Sequence, residues 1–303
     1  FLMRLKQALF EPIMIEEFEI VPGASLGVAI YPDNASSREG LINNADLAMY
    51  RAKADLAHHV CYYDQSMDDI VRARRCLAND LRHAIENNQL DVHYQVQTSV
   101  PTNQIRGFEA LLRWNHPEHG YISPAEFIPL AEENGLIMQL GEWVLRQACA
   151  DAASWEPPYR VAVNISPAQF ANADLSKLII EVLLATGLPA SRLELELTES
   201  TLFQDKERSF NILRQIKALG VNIAPDDFGT GYSSLDMLRA FPFDKIKLDR
   251  SFIHEAEESL QAKSIIRAVL ALGKSLEIPI LAEGIETKGQ LALLGDEGCD
   301  EAQ

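Results

Sequence analysis

A repeated alternation between strand and helix patterns constrains the fold of this chain more than any other feature of its sequence. From residue 90 onward, short apolar and β-branched runs alternate with segments of helical apolar spacing, such as 138–155, 204–219 and 258–277. Seven or eight such units over about 210 residues favour a closed β/α barrel over an open sheet. The predicted strands span residues 92–96, 105–112, 160–164, 192–198, 221–226, 244–249 and 278–283, and an eighth begins near Cys299.

The first two predicted strands are connected too tightly for a parallel pair. Only a short turn from Thr98 to Gln104 separates them, whereas a parallel crossover needs a dozen residues or more. We therefore predict an α/β fold, a TIM-like (β/α)8 barrel with one antiparallel strand. Because the sequence stops at Gln303, we expect the last strand and helix of the barrel to be truncated.

The residues before the barrel predict two further regions. Residues 1–65 combine strand patterns at 19–21 and 24–31 with a helix pattern at 39–57, which is typical of a small α+β piece. Residues 66–89 predict a long charged helix that connects domains. Its arginines (Arg72, Arg74 and Arg75) are better explained as a solvated face than as a ligand site. The predicted domains are therefore 1–65, 66–89 and 90–303.

Charge and cysteine usage limit the partners and the compartment. A net charge of −17 argues against affinity for DNA or for an anionic membrane surface, although bound cations can still attract a small anion. Four cysteines without CxxC spacing indicate a reducing compartment, so we predict a cytoplasmic location. The chain opens on Phe1 and has no apolar run of about 20 residues. We interpret it as a fragment whose upstream part would carry any membrane anchor.

Two adjacent aspartates, Asp226 and Asp227, begin the stretch DDFGTGYSS at the end of a predicted strand. Neighbouring side chains of a strand point to opposite faces, so this pair can converge only where the strand ends and turns. The two glycines of the stretch favour such a turn. Paired carboxylates at a corner suit a two-metal site. An Asp-rich turn followed by a helix cap explains these nine residues equally well.

Further acidic side chains stand near the ends of other predicted strands. Two carboxylates about 4 Å apart repel by about 4 kcal/mol at an effective dielectric constant of 20, so a shared barrel mouth would require cations. The alternative, separate salt bridges, would draw on Arg113, Lys245, Lys247 and Arg250. Oxygen ligands without histidine or cysteine favour Mg²⁺ or Mn²⁺ over zinc. The six carboxylates are Glu109, Glu196, Asp226, Asp227, Asp249 and Glu283.

Six motifs follow one another in fixed order over the predicted barrel. They are FEALLRW from Phe108, VNIS from Val163, ELTES from Glu196, DDFGTGYSSL from Asp226, KLDRSF from Lys247 and AEGIE from Ala282. Together they resemble the EAL domains, which are cyclic-di-GMP phosphodiesterases. The resemblance implies hydrolysis of cyclic-di-GMP to linear pGpG with two divalent cations, Mg²⁺ or Mn²⁺. The chain departs from the family pattern at Val96 and Pro225.

The same resemblance assigns roles to individual residues. Lys247 would orient the attacking water or stabilise developing charge, Glu283 would be the general base, and Glu199 would anchor the loop after Asp227. A carboxylate at a helix N-terminus is an equally physical explanation of Glu199. The metal ligands would be Glu109, Asn164, Glu196, Asp226, Asp227 and Glu283. The substrate groove would be formed by Gln95, Leu112, Arg113 and Gln303, with Asp249 and Glu286 in support.

Two alternatives to the enzyme are a catalytically silent cyclic-di-GMP receptor and an unrelated metal-dependent barrel enzyme. The sequence favours the phosphodiesterase, because it keeps the matched carboxylates and the DDFGTG loop. The resemblance also implies a homodimer through the loop after Asp227.

The N-terminal region carries a second resemblance. SLGVA (25–29) and ADLAMYRAK (45–53) resemble the C-terminal part of a GGDEF, or diguanylate cyclase, domain. The signature loop of that family is absent, so this resemblance implies a remnant without cyclase activity.

Overall fold

The chain divides into two compact units, Phe1–Asn79 and Asp80–Gln303. The computed structural model describes residues 2–15, 18–20, 23–54, 60–172, 174–198, 201, 206–229, 234–254, 256 and 259–303. Within these residues, no helix combines the length and the apolar character needed to cross a bilayer.

The first unit is a small α+β assembly. Helix α2 packs so closely on strand β3 that a Cβ on Gly27 would lie 1.9 Å from the carbonyl oxygen of Ala45, so only glycine fits there. β1 and β2 pair antiparallel, and β3 and β4 pair parallel. The elements are α1 (Leu2–Leu9), β1 (Ile13–Ile15), β2 (Phe18–Ile20), β3 (Leu26–Val28), α2 (Arg38–Ala54), β4 (Val60–Tyr62) and the start of α3 (Ser66–Ala84).

Two predicted elements before the barrel are shorter in the structure. The strand expected at 24–31 contracts to Leu26–Val28, because Asn34 closes a turn: its N–H donates to Ile30 O at 2.8 Å and its Oδ1 accepts from the Ile30 N–H at 2.7 Å. The connecting helix ends at Ala84 rather than at residue 89. There the Gln89 N–H returns to Ala84 O at 3.0 Å, and Asn88 takes a left-handed φ of 52°.

Eight strands of the second unit form a nearly closed barrel. They follow the order β10-β9-β8-β6-β5-β13-β12-β11, and a bridge between Phe228 and Leu248 links the two ends. Only β5 runs antiparallel to its neighbours, which confirms the predicted antiparallel first pair. The eighth strand is present as two residues that pair with β5 and β12. The strands are β5 (Leu90–Ser99), β6 (Ile105–His116), β8 (Arg160–Asn164), β9 (Leu193–Thr198), β10 (Asn222–Asp226), β11 (Ile246–Leu248), β12 (Ile280–Ala282) and β13 (Glu301–Ala302).

Helices follow the parallel strands close to their predicted positions. The patterns at 138–155, 204–219 and 258–277 correspond to α5, α8 and α11. A short strand that the sequence did not predict, β7 (Gly120–Ile122), pairs with the end of β6 outside the barrel path. The helices are α4 (Pro124–Glu133), α5 (Ile137–Ala153), α6 (Pro167–Phe170), α7 (Leu175–Thr186), α8 (Lys206–Ala218), α9 (Ser234–Ala240), α10 (Arg250–His254), α11 (Leu260–Leu276) and α12 (Lys288–Asp296), with a 3-10 turn at Ala190–Arg192.

Strand β9 shows how the barrel separates apolar from polar side chains. Its leucines, at positions 193, 195 and 197, belong to the apolar core that the strands share with the surrounding helices. The intervening Glu194 and Glu196 are equally buried, at 1% and 0% exposure. They pair instead with Lys245 and Lys247, on the far side of β10. The alternation of the strand therefore places these two glutamates inside the barrel.

Candidate active site

Lys247 of β11 lies at the centre of a group of carboxylates at the mouth of the barrel. Its side chain is 1% exposed, and its Nζ lies 2.6 Å from Glu283 Oε1 and 2.7 Å from Glu196 Oε2. Asp226 Oδ1 and Glu109 Oε2 follow at 3.3 and 3.5 Å. The carboxyl ends of the parallel strands meet at this mouth. We call Lys247, Glu109, Glu196, Asp226, Asp227 and Glu283 the mouth cluster.

Asp226 and Asp227 converge because the backbone reverses at Asp227 itself. Asp227 has a φ of 54°, a left-handed conformation that aspartate tolerates better than most residues. Its N–H donates to Asp226 Oδ1 at 3.0 Å. One carboxylate oxygen from each of Asp226, Asp227 and Glu283 lies within 4.8 Å of the others. Three carboxylate oxygens at this spacing suit a divalent cation. Pro225 is buried within β10, and the strand continues through it.

Glu109 and Glu196 supply further oxygens to the same cluster. Asn164 Nδ2 donates to Glu109 Oε1 at 2.6 Å, and Gln303 Nε2 donates to Glu109 Oε2. Glu196 Oε1 is fully buried and has no hydrogen-bond partner among the residues that the structure describes. An unpaired buried carboxylate oxygen is costly unless a cation or a donor completes it. The residues present therefore fit a bound divalent cation.

The pKa values follow from this concentration of charge. Burial raises the pKa of Glu196 well above its usual range, and Glu109 and Asp226 add to the effect against the attraction of Lys247. Burial, and then repulsion by Asp226, outweigh Lys247 and raise the pKa of Glu283 to about 7. Burial and Asp226 also raise the pKa of Asp227. Five carboxylates share one ammonium group, so full ionisation of the mouth cluster requires an additional cation.

Glu109 and Lys247 are the members of the cluster whose ionised forms are favoured. Burial opposes ionisation of Glu109, but Lys247 and the hydrogen bonds from Gln303 and Asn164 outweigh it and lower the pKa of this carboxyl. Burial likewise opposes the charge of Lys247, and the surrounding carboxylates outweigh it and raise the pKa well above its usual range. An ionised glutamate beside an ammonium group is thus built into the cluster.

A cavity of about 330 Å³ opens beside the mouth cluster and takes in Asn164. Leu112 and Arg113, both predicted to bind substrate, line it. Arg113 Nη1 donates to the carbonyl oxygen of Leu112 at 3.0 Å. Because a guanidinium pairs well with phosphate, this wall of the cavity suits an anionic ligand.

The other residues predicted for the groove lie elsewhere around the mouth. Gln95 is exposed on β5, in register with Glu109, and Gln303 contacts Glu109 directly. Asp249 Oδ1 accepts hydrogen bonds from the N–H and hydroxyl of Ser251. The Glu286 N–H donates to Gln290 Oε1 at 2.8 Å. Glu199 and the loop residues Thr230–Ser233 lie outside the described residues.

A second buried lysine, whose partners the sequence did not identify, lies deeper in the barrel. Lys245 is 2% exposed, and its Nζ contacts Glu194 Oε1 at 2.9 Å, Glu301 Oε2 at 3.0 Å and Gln97 Oε1 at 3.2 Å. The sequence predicts Lys245 only as a possible salt-bridge partner at the mouth, and it does not predict a role for Gln97 or Glu301. A signal for these residues exists in the sequence: Gln97, Lys245 and Glu194 each stand two residues from a residue predicted for the mouth, namely Gln95, Lys247 and Glu196. We call Lys245, Glu194, Glu301 and Gln97 the inner cluster.

Comparison with known proteins gives a consistent family. Residues 78–303 match the EAL domain. A signalling protein of Caulobacter vibrioides, described as uncharacterized, is 53% identical over 300 residues, which are 99% of this chain and 37% of that protein. MucR of Pseudomonas aeruginosa, named a bifunctional diguanylate cyclase/cyclic di-GMP phosphodiesterase, is 42% identical over 304 residues, which are 99% of this chain and 44% of MucR. The chain thus spans less than half the length of these relatives.

A solved structure shares the architecture as well. The PaMucR phosphodiesterase in complex with c-di-GMP is 46% identical and superposes with a TM-score of 0.73, over 75% of this chain and 94% of that chain. The chain belongs to the EAL domain family.

Proposed function

We propose that this chain hydrolyses cyclic-di-GMP to linear pGpG in a reaction that depends on divalent cations. The observation that carries the proposal is the mouth cluster, in which five carboxylates surround one buried ammonium group and leave a buried oxygen of Glu196 without a partner among the described residues. The name of MucR and the c-di-GMP complex of its phosphodiesterase support this substrate.

Glu109, Asn164, Glu196, Asp226, Asp227 and Glu283 would hold two cations, Mg²⁺ or Mn²⁺. When bound, such ions polarise a phosphate and supply hydroxide near neutral pH. Oxygen donors dominate this set, which fits those metals better than zinc. Because the chain carries a net charge of −17, the cations would also allow an acidic protein to accept a dianionic dinucleotide.

The residues of the chain would then perform three tasks. Arg113, on the wall of the cavity, would bind a phosphate and orient the dinucleotide. Lys247 would donate a hydrogen bond to the attacking water or stabilise charge that develops on the phosphate. Glu283, whose Oε1 lies 2.6 Å from Lys247 Nζ at the mouth, would accept the proton of that water as a general base. Glu199 would hold the loop after Asp227 in place.

A hydrolysis assay with product analysis tests the proposal. The purified chain should convert cyclic-di-GMP to pGpG with Mg²⁺ or Mn²⁺, EDTA should stop the reaction, and Glu109→Ala should abolish it. Tight binding without turnover in either metal would instead assign the chain as a receptor. Absence of any cyclic-di-GMP binding by calorimetry would leave a metal-dependent barrel that acts on another anion.

Residues 1–65 are proposed to be a GGDEF remnant without cyclase activity. The close packing of α2 on Gly27 of β3 supports a defined α+β piece that spans the two matching motifs, and MucR is named as both a cyclase and a phosphodiesterase. We also propose that residues 66–89 connect this remnant to the barrel, that the protein is cytoplasmic, and that it forms a homodimer through the loop after Asp227. Light scattering of the purified chain would test the dimer.

A further inference from the structure

A chain of hydrogen bonds inside the barrel connects the inner cluster to the mouth cluster. Lys245 Nζ donates to Gln97 Oε1 at 3.2 Å. Gln97 Nε2 donates to Gln303 Oε1 at 2.9 Å, and Gln303 Nε2 donates to Glu109 Oε2. Two glutamine amides therefore stand in series between an ammonium group and a carboxylate that is proposed to bind metal.

The two ends of this series of hydrogen bonds, Lys245 and Glu109, determine which way both amides face. An ammonium group only donates hydrogen bonds, so Gln97 must turn its oxygen toward Lys245. An ionised carboxylate only accepts them, so Gln303 must turn its nitrogen toward Glu109. The remaining contact then joins the nitrogen of Gln97 to the oxygen of Gln303. Reversing either amide would place two donors or two acceptors in contact.

The surroundings leave these groups little freedom. Gln97 is 2% exposed and Lys245 is 2% exposed, so water does not compete for either. Lys245 Nζ donates to Glu194 Oε1 and Gln97 Oε1 and forms an ion pair with Glu301 Oε2. The backbone of Gln303 is fixed on both sides, because its N–H donates to Ala282 O at 2.9 Å and its carbonyl accepts from the Ile285 N–H at 3.2 Å.

We propose that Lys245 is a positioning residue that acts through Gln97 and Gln303 to aim an amide N–H at Glu109 and so hold this carboxylate in place for the metal. The inference rests on the proposed function, because it assumes that Glu109 binds a cation. Lys245 does not itself touch substrate or metal. Partners of a metal ligand typically change metal affinity by about 10–100-fold when they are replaced.

Replacing Gln97 separates this role from a general effect of charge. In Gln97→Glu, the new carboxylate accepts from both Lys245 and Gln303, so the Gln303 amide reverses and turns its oxygen toward Glu109. The affinity for Mn²⁺, measured by electron paramagnetic resonance of the free ion, should fall about 10–100-fold. Simple electrostatics predicts the opposite sign, because an added negative charge attracts a cation.

Gln97→Leu is the second variant, and it keeps the contacts of Lys245 with Glu194 and Glu301. It removes the constraint on Gln303 without reversing the amide, so Mn²⁺ affinity should fall by about tenfold, at the low end of the range for such partners. Ile179→Val is the matched control, since Ile179 is buried in α7 and its truncation is a mild core change. It leaves intact the hydrogen bonds from Lys245 through Gln97 and Gln303 to Glu109, which we call the relay. Thermal melts of all variants identify any that fail to fold.

The Mn²⁺ affinities of the two Gln97 variants decide whether Lys245 acts through Gln97. Wild-type affinity in a folded Gln97→Glu variant, or tighter binding, would overturn the relay. If that variant does not fold, unchanged affinity in Gln97→Leu would overturn it equally. A wild-type chain that binds no Mn²⁺ would instead remove the proposed metal site, and the relay with it.

Discussion

The two buried lysines of the barrel stand two residues apart and have different tasks. Lys245 meets two carboxylates and one amide, whereas Lys247 meets four carboxylates within 3.5 Å, with Asp227 close by. Both pKa values are raised, because neighbouring carboxylates outweigh burial. Glu194 and Glu196, also two residues apart, each leave one buried oxygen without a partner among the described residues. The local chemistry is therefore similar, and the number of acids differs.

The two clusters differ in how far their charges are matched, and this difference separates the interior of the barrel from its proposed reactive mouth. The inner cluster has two carboxylates for one buried ammonium group, so most of its charge is matched within the barrel. The mouth cluster carries excess negative charge, which repels in the absence of a cation. Excess negative charge at the open end is the feature proposed to bind metal.

The largest effect is expected from two equivalent substitutions on β9. Glu196→Gln removes a proposed metal ligand, so the rate of cyclic-di-GMP hydrolysis should fall by more than about 100-fold. That loss exceeds the one expected when a residue that only hydrogen-bonds to a metal ligand is replaced. Glu194→Gln makes the same chemical change two residues earlier on the same strand, and it should lower the rate by less than about tenfold. Initial rates at saturating Mn²⁺ provide the measurement. Equal losses in the two variants would contradict the division between the clusters.

The second prediction concerns stability and its response to metal. Lys245→Met leaves Glu194 and Glu301 buried beside no cation, which should lower the free energy of unfolding by about 3–5 kcal/mol. Lys247→Met also loses stability in EDTA, but Mn²⁺ should restore much of it, because a ligand of the native state stabilises that state. Denaturant unfolding with EDTA or Mn²⁺ measures both. Recovery of Lys245→Met by Mn²⁺ to the same degree would remove the distinction.

The third prediction is that the free energy of unfolding depends on pH in the absence of metal. Burial and Asp226 raise the pKa of Glu283 from 4.5 to about 7, so the metal-free folded state holds a proton that the unfolded chain releases. The free energy of unfolding should therefore decrease as pH rises from about 5 to 7, with a slope of up to about 1.4 kcal/mol per pH unit for one proton. Thermal melts in EDTA test this.

Glu283→Gln should make that slope shallower, and the remainder should come from Glu196 and Asp227, whose pKa values burial also raises. Mn²⁺ should reverse the slope, since a cation favours the ionised carboxylates. Glu301→Gln, which changes the inner cluster instead, is the control and should keep the slope of the wild type. A slope as steep in Glu283→Gln as in the wild type would assign the titration to groups other than Glu283.

The smallest effect is expected at a thiol near the inner cluster. Burial raises the pKa of Cys299 to about 12, and its Sγ lies within hydrogen-bond distance of the carbonyl oxygens of Ile280 and Glu301, at 3.5 and 3.3 Å. Iodoacetamide at pH 8 should modify the exposed Cys76 and leave Cys299 unmodified, with no change in activity. Mass spectrometry of digested protein gives the sites. Rapid labelling of Cys299 in the folded protein would show that this end of the barrel is open.

Much of the architecture followed from pattern alone. Alternating strand and helix patterns predicted the barrel, and the short connection from Thr98 to Gln104 predicted its antiparallel pair, which the structure confirms. Strand ends were predicted within a few residues, with differences where a side chain or backbone closed a turn, as Asn34 does. Strand β7 was missed, because three residues are too few for a periodic signal.

The candidate site was predicted in its members more than in its arrangement. The sequence placed Glu109, Glu196, Asp226 and Glu283 at strand ends, and local alternation along each strand is sufficient for that. It expected glycines to supply the turn at the aspartate pair, and Gly229 does take a positive φ of 98°, but Asp227 takes the left-handed conformation as well. A single backbone angle of this kind depends on the contacts around it.

The sequence by itself therefore determined which side chains face the interior of the barrel, because strand alternation is a local property. Only the tertiary structure decided which acid each lysine neutralises and how Gln97 and Gln303 connect the two clusters. Those partners are 148 residues apart for Lys245 and Gln97, and 206 apart for Gln97 and Gln303. Contacts at such separations depend on the register and closure of the whole barrel.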